Sequence, residues 1–164
     1  MSLPNRPTVA VRIERTMHAP PDRVFRAFLD PDLIRQWIAP DDLHVDRVAV
    51  EARIGGRLEV WHSSNGTSTG KFEGHFLKID PPRELVYRWA FVGTEPEKGE
   101  YFDTLVTVLL RPEPGGHTRI SVVHEKLEEL QRGAPHIHLR LEPGWNNCLD
   151  KLDAAIGAIP PDHR

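Results

Sequence analysis

The sequence predicts an α+β fold of element order β-α-α-β6-α, with a curved antiparallel sheet wrapped around a long C-terminal helix. Two observations carry this. From Pro40 to Glu125 apolar residues recur at a period of two, interrupted by glycine, proline and asparagine turns. After Pro135 the period changes, and Leu141, Trp145, Cys148, Leu149, Leu152, Ile156 and Ile159 recur at steps of three and four. A sheet with one apolar face must bury it, and that long helical stripe is the obvious cover.

The elements follow in order. Residues 1–7 read as a flexible arm, because Pro4 and Pro7 block regular pairing. Thr8 to Met17 alternates, with Val9, Val11 and Ile13 on one side and Arg12 and Glu14 on the other, so it reads as a half-buried strand. Pro20-Pro21-Asp22 opens a helix reaching about Leu29, where Val24, Phe25 and Phe28 form the apolar stripe. Asp30-Pro31-Asp32 breaks it, and a second short helix carries Leu33, Ile34 and Trp37. Strands are expected at Leu43–Val50, Arg57–Ser63, Thr69–Ile79, Glu84–Val92, Tyr101–Arg111 and Thr118–Glu125. Asn65-Gly66 is the strongest hairpin signal among their links. The last helix spans about Pro143 to Ala158, with Pro143 either opening it or kinking a longer helix from Pro135. One domain is expected over 8–158, with 159–164 as a tail.

Composition narrows the function. The chain has 164 residues, 39% of them hydrophobic, enough for a real core. The net charge of −3, from 21 basic and 24 acidic residues, gives no field that would hold nucleic acid. Cys148 is the sole cysteine, so neither an internal disulfide nor a multi-cysteine zinc site is available. It is expected to be buried and inert. No apolar run approaches the roughly 20 residues of a membrane span, and no signal peptide is evident at the start, so a cytoplasmic location is expected. No metal or cofactor is expected: His136 and His138 stand two apart, and no phosphate or dinucleotide fingerprint occurs.

Strand parity supplies the candidate site. Tyr87, Trp89 and Phe91 share a face of their strand. By the same parity Leu58, Val60 and His62, Phe72 and Phe76, Val106, and Val122 and His124 point to one hollow. Trp145 and Leu149 face them from the helix. His62, Tyr87 and His124 are the polar members, placed to orient a ligand or to move a proton. Lys126 to Pro135 reads as an exposed connection over one mouth of the cavity.

Several stretches together resemble a known family: Ala19 to Trp37 (APPDRVFRAFLDPDLIRQW), Gly55-Gly56-Arg57-Leu58, Gly74 to Trp89 (GHFLKIDPPRELVYRW), and Gly144-Trp145 with Leu149 and Leu152. They are similar to the SRPBCC (START-like, helix-grip) superfamily, in the branch of the homologue of the C-terminal domain of the heat-shock-protein-90 ATPase activator. The resemblance covers about 8–158. It implies a helix-grip fold with a cavity between sheet and C-terminal helix. The first expectation is a small soluble protein binding an apolar or amphipathic small molecule, with no recognisable catalytic constellation. A chaperone-interaction module, with a chaperone as partner, and a polyketide cyclase-like enzyme are the alternatives. Homodimerisation is left open.

Overall fold

In the computed structural model, residues 9–40 and 43–157 are described. The expected arm at 1–7, the tail at 159–164 and Ile159 on the helical stripe lie outside the described residues. The element order is β1 (Ala10–Met17), α1 (Pro21–Arg26), α2 (Pro31–Trp37), β2 (His44–Val50), β3 (Arg57–Ser64), β4 (Thr67–Asp80), β5 (Glu84–Val92), β6 (Tyr101–Glu113), β7 (His117–Glu125), α3 (Glu128–Gly133), α4 (Pro135–His138) and α5 (Leu141–Gly157). A single 3-10 turn, Pro96–Lys98, lies between β5 and β6. The fold is the expected α+β one. Additions to the expected order are α3 and α4.

The sheet is antiparallel throughout, with strand order β1-β7-β6-β5-β4-β3-β2. The strands β2 to β7 form a meander, and β1 returns to pair with β7, Ile13 opposite Val122. The meander is set by its turns. Asn65 and Gly66 both take positive φ, 53° and 80°, joining Ser64 to Thr67 by a two-residue hairpin that L-residues with larger side chains resist. Local irregularities in β2, β3 and β4 bend the strands so that the sheet curls.

The helix α1 packs on β6 and β7, and α2 packs on β2 and α5. The break Asp30-Pro31-Asp32 is also a start signal: the Asp30 carboxylate accepts from the Asp32 N–H at 2.9 Å, and Pro31 fixes φ in the first turn. Trp37 is 1% exposed and donates its indole N–H to the Ala27 carbonyl at 2.8 Å, tying the two helices together.

The final helix starts two residues before Pro143, which occupies the first turn and so opens the helix without kinking it. Leu149, Leu152 and Ile156 are fully buried on the inner face of the sheet. Outward, Arg15 pairs with Asp150 at 2.6 Å and His18 meets Asp153 at 2.5 Å, so polar contacts line the flank where α5 passes β1.

The Lys126–Pro135 segment corrects an expectation. Its outer side is exposed as expected, but it is built around the helix α3, and Leu130 in the helix with Leu127 and Ala134 at its two caps is buried. With Leu141 they form a second apolar cluster, backed by Phe91, Phe102 and Ile137. Three buried residues at spacings of three and four make a helical stripe too short to stand out among the charges around it. Gly133 lets the segment lie flat on the sheet, since a Cβ there would be 2.4 Å from the Phe102 ring.

Candidate functional site: an aromatic-walled cavity

Between the concave face of the sheet and α5 lies a cavity of about 620 Å³. Its sheet wall is His62, Phe72, Tyr87, Trp89, Phe91 and His124. From α5 come Leu141, Gly144, Trp145 and Cys148, at the three- and four-residue steps that share a helix face. The α3–α4 segment adds Ala134 and Ile137, and Trp37 and Ile38 close the side nearest α2.

The wall is a run of touching rings. Ring centroids are 4.5 Å apart for His62 and Phe72, 4.8 Å for Phe72 and Trp89, and 5.8 Å for Trp89 and Tyr87. Phe91 stacks on His124 at 5.9 Å, and His124 meets the Trp145 ring edge-on at 6.1 Å. Offset and edge-on geometries are the favourable ones for aromatic pairs. Trp89, at 6% exposed, and Tyr87, at 2%, point inward and look at the α5 face that bears Trp145, as parity requires.

Leu58, Val60, Phe76, Val106, Val122 and Leu149 are not on this wall. They are buried in the solid part of the core. Their parity is the expected one. The difference arises because α5 lies directly on that part of the sheet, whereas the hollow opens beside its N-terminal half, under α3 and α4. Parity also missed Phe102, Ile137 and Cys148. The thiol is buried as expected, yet it stands on the cavity wall.

Two histidines differ in what they can do. His124 is 1% exposed, and both its nitrogens are engaged. The Trp145 indole N–H donates to Nδ1 at 3.0 Å, so the ring proton sits on Nε2 and is given to the Thr104 hydroxyl at 2.7 Å. That hydroxyl in turn donates to the Trp89 carbonyl. Burial, with a smaller contribution from His138, pushes the His124 pKa down to about 3. His124 is therefore a neutral ring that locks Trp145 in place, with no nitrogen left for a substrate. His62 keeps Nδ1 on the Thr69 hydroxyl at 2.5 Å, and burial lowers its pKa to about 4 against a small opposing pull from Asp46. This leaves Nε2 to the hollow that the side chain lines. Burial, and then the neighbouring Cys148, push the Tyr87 hydroxyl far up, so it stays protonated.

Charge is kept to the rim. The Lys71 ammonium lies between Glu59 at 3.0 Å and Glu73 at 2.9 Å, and Lys98, Glu100 and Arg140 are exposed at the mouth. Among the described residues no group of three or more His, Cys, Asp or Glu side chains could hold a metal, and no helix is long and apolar enough to cross a membrane.

The model of a protein family described as "Activator of Hsp90 ATPase homolog 1-like protein" matches residues 18–157. The chain belongs to that family. Solved structures similar to this family member include a protein from Nitrosomonas europaea, 17% identical with a TM-score of 0.74, covering 91% of this chain and 94% of that one. A protein from Chromobacterium violaceum is 26% identical with a TM-score of 0.69, covering 89% and 96%. One named AHSA1, from Silicibacter pomeroyi, is 24% identical with a TM-score of 0.72, covering 92% and 99%. These likenesses establish a shared helix-grip fold. No curated protein matches the chain.

Proposed function

We propose that this family member binds an apolar or amphipathic small molecule in the cavity between the sheet and α5. The observation that carries the reading is the continuous aromatic wall around a hollow of about 620 Å³. That volume lies within the roughly 300–1,000 Å³ common for small-molecule sites. The aromatic wall of an open hollow faces water, and a ligand seated there supplies the dispersion contacts that water does not. Burying its apolar surface contributes roughly 25 cal/mol per Å² before the cost of association.

Gly144 gives the direct test. It lies on the same face of α5 as Leu141 and Cys148, and a Cβ there meets nothing within 4 Å. Gly144→Phe should fill the hollow without a clash and remove a helix glycine, a gain of about 0.5–1 kcal/mol. The neutral dye N-phenyl-1-naphthylamine should brighten with the native protein and lose affinity at least tenfold with the variant, at an unchanged or raised melting temperature. Equal dye binding by both proteins would refute the cavity as the site.

The family name supports a second reading, a chaperone-interaction module acting through its outer surface. There, Gly144→Phe should leave stimulation of the chaperone's ATP turnover intact while dye binding is lost. The enzyme reading has less support, because His124 cannot exchange a proton without breaking its bond to Trp145 or Thr104.

A further inference from the structure

Two polar groups on the cavity wall, His62 and Tyr87, face the hollow. His62 is 6% exposed and Tyr87 2% exposed, so each is more than nine-tenths buried. His62 Nδ1 is occupied by Thr69, which leaves Nε2 to the hollow that the side chain lines. Tyr87 carries a hydroxyl that burial keeps protonated. Both side chains line the same hollow. A polar group on the wall of an apolar hollow fixes the orientation of whatever enters, by offering it a hydrogen bond. Here two such groups face one cavity whose buried wall holds no charged side chain.

Their placement defines a shape. His62 pairs with Gly70 of β4, and Tyr87 pairs with Phe76 of the same strand. Between them along the wall lie the Phe72 and Trp89 rings. The two polar atoms thus bracket an aromatic strip. The cations and carboxylates that touch the cavity, Lys98, Glu100 and Arg140, are at its exposed mouth, and Lys71 is held between Glu59 and Glu73. A charge carried inward would meet two neutral groups and ring faces, with no counter-ion.

We propose that the cavity selects uncharged, elongated aromatic molecules carrying a hydrogen-bonding group at each end, one meeting Nε2 of His62 and the other the hydroxyl of Tyr87. The inference rests on the ligand-binding reading above and specifies the ligand's class. The ring edges stack on Phe72 and Trp89, and each polar end replaces water at one buried atom. His62 and Tyr87 are then the specificity-determining residues. The charge restriction follows from the same wall, because an ionised group loses its hydration on entering and gains no opposite charge.

A matched series of biphenyls tests this by displacement of N-phenyl-1-naphthylamine at pH 7.5. The probes are biphenyl, 4-phenylphenol, 4,4′-dihydroxybiphenyl and biphenyl-4,4′-dicarboxylate. Each neutral hydrogen bond is expected to tighten binding about fivefold, so the diol should exceed biphenyl by about 25-fold. The dicarboxylate should bind at least about a hundredfold more weakly than the diol. Tyr87→Phe and His62→Phe should each remove about fivefold of the diol's advantage while leaving biphenyl affinity in place. His62→Gln, which keeps a polar end, should recover part of the loss. Melting temperatures report whether each variant is folded. Binding of biphenyl with no gain for either phenol, a diol no better than the single phenol, or a dicarboxylate as tight as the diol would each overturn the inference and leave the cavity reading standing. Failure of the dye and biphenyl alike would remove both.

Discussion

Lowering the pH from 7 to 5 is expected to cost about 4 kcal/mol of folding stability through two histidines alone. His124 and His62 have pKa values near 3 and 4 in the folded protein, against an ordinary value of 6.5. Between those limits the unfolded chain binds protons that the folded chain refuses. Stability therefore rises with pH, is complete above about 6.5, and is lost as the pH falls toward the folded values. At pH 5 each ring is about 1.5 units below its unfolded pKa and still above its folded one, which gives roughly 2 kcal/mol apiece at 1.36 kcal/mol per unit. That sum is a large part of the 5–15 kcal/mol typical of a domain. Burial is the main cause at both rings, and at His124 the geometry adds a local obstacle. A proton on Nδ1 would point at the Trp145 indole N–H, which now occupies that lone pair at 3.0 Å.

Urea unfolding followed by tryptophan fluorescence at pH 7, 6 and 5 measures this directly. His124→Gln and His62→Gln should each reduce the pH-dependent loss by about half. Trp145→Phe should lower stability at pH 7 by about 1–3 kcal/mol, because it leaves Nδ1 buried without a donor. It should also shrink the loss on acidification, since Nδ1 can then take a proton unopposed. Equal stability at pH 5 and pH 7, or a slope that both histidine variants leave intact, would refute the reasoning.

Other expectations are simpler. Leu149→Ala should cost about 2–5 kcal/mol, whereas Asp150→Ala, which removes only an exposed pair with Arg15, should cost less than about 1 kcal/mol; chemical denaturation compares them. Val122→Trp should destabilise by about 1–3 kcal/mol, because Val122 is buried where the core is solid and added bulk has no hollow to enter; a neutral melting temperature would show otherwise. Leu130→Ala should loosen α3 before the rest of the fold, seen as faster amide exchange confined to 128–138; uniform exchange would contradict it.

The pattern of what was readable has a physical cause. The Glu84–Val92 strand was legible to the residue because Tyr87 and Trp89 alternate with outward Arg88, and α5 because its stripe persists for four turns. The helix α3 was not, because six residues with one buried leucine look like any charged loop. Parity correctly gave the face of every candidate but is silent on depth along the strand. Whether Val60 or His62 touches a ligand depends on where α5 crosses the sheet, and that crossing is a tertiary fact. The polar partners lay closer to reach. Val106 stands opposite His124 on β6 and β7, so Thr104 is the diagonal neighbour two residues along, within range of a side-chain contact. Thr69 lies across the Asn65-Gly66 hairpin from His62, seven residues away. Register read from the turns would thus have found a hydroxyl for each histidine. It would not have shown that Trp145 claims the second nitrogen of His124 and leaves that of His62 alone. The distinction between a ring that locks the wall and one that faces a ligand is made by the helix, not by the sheet.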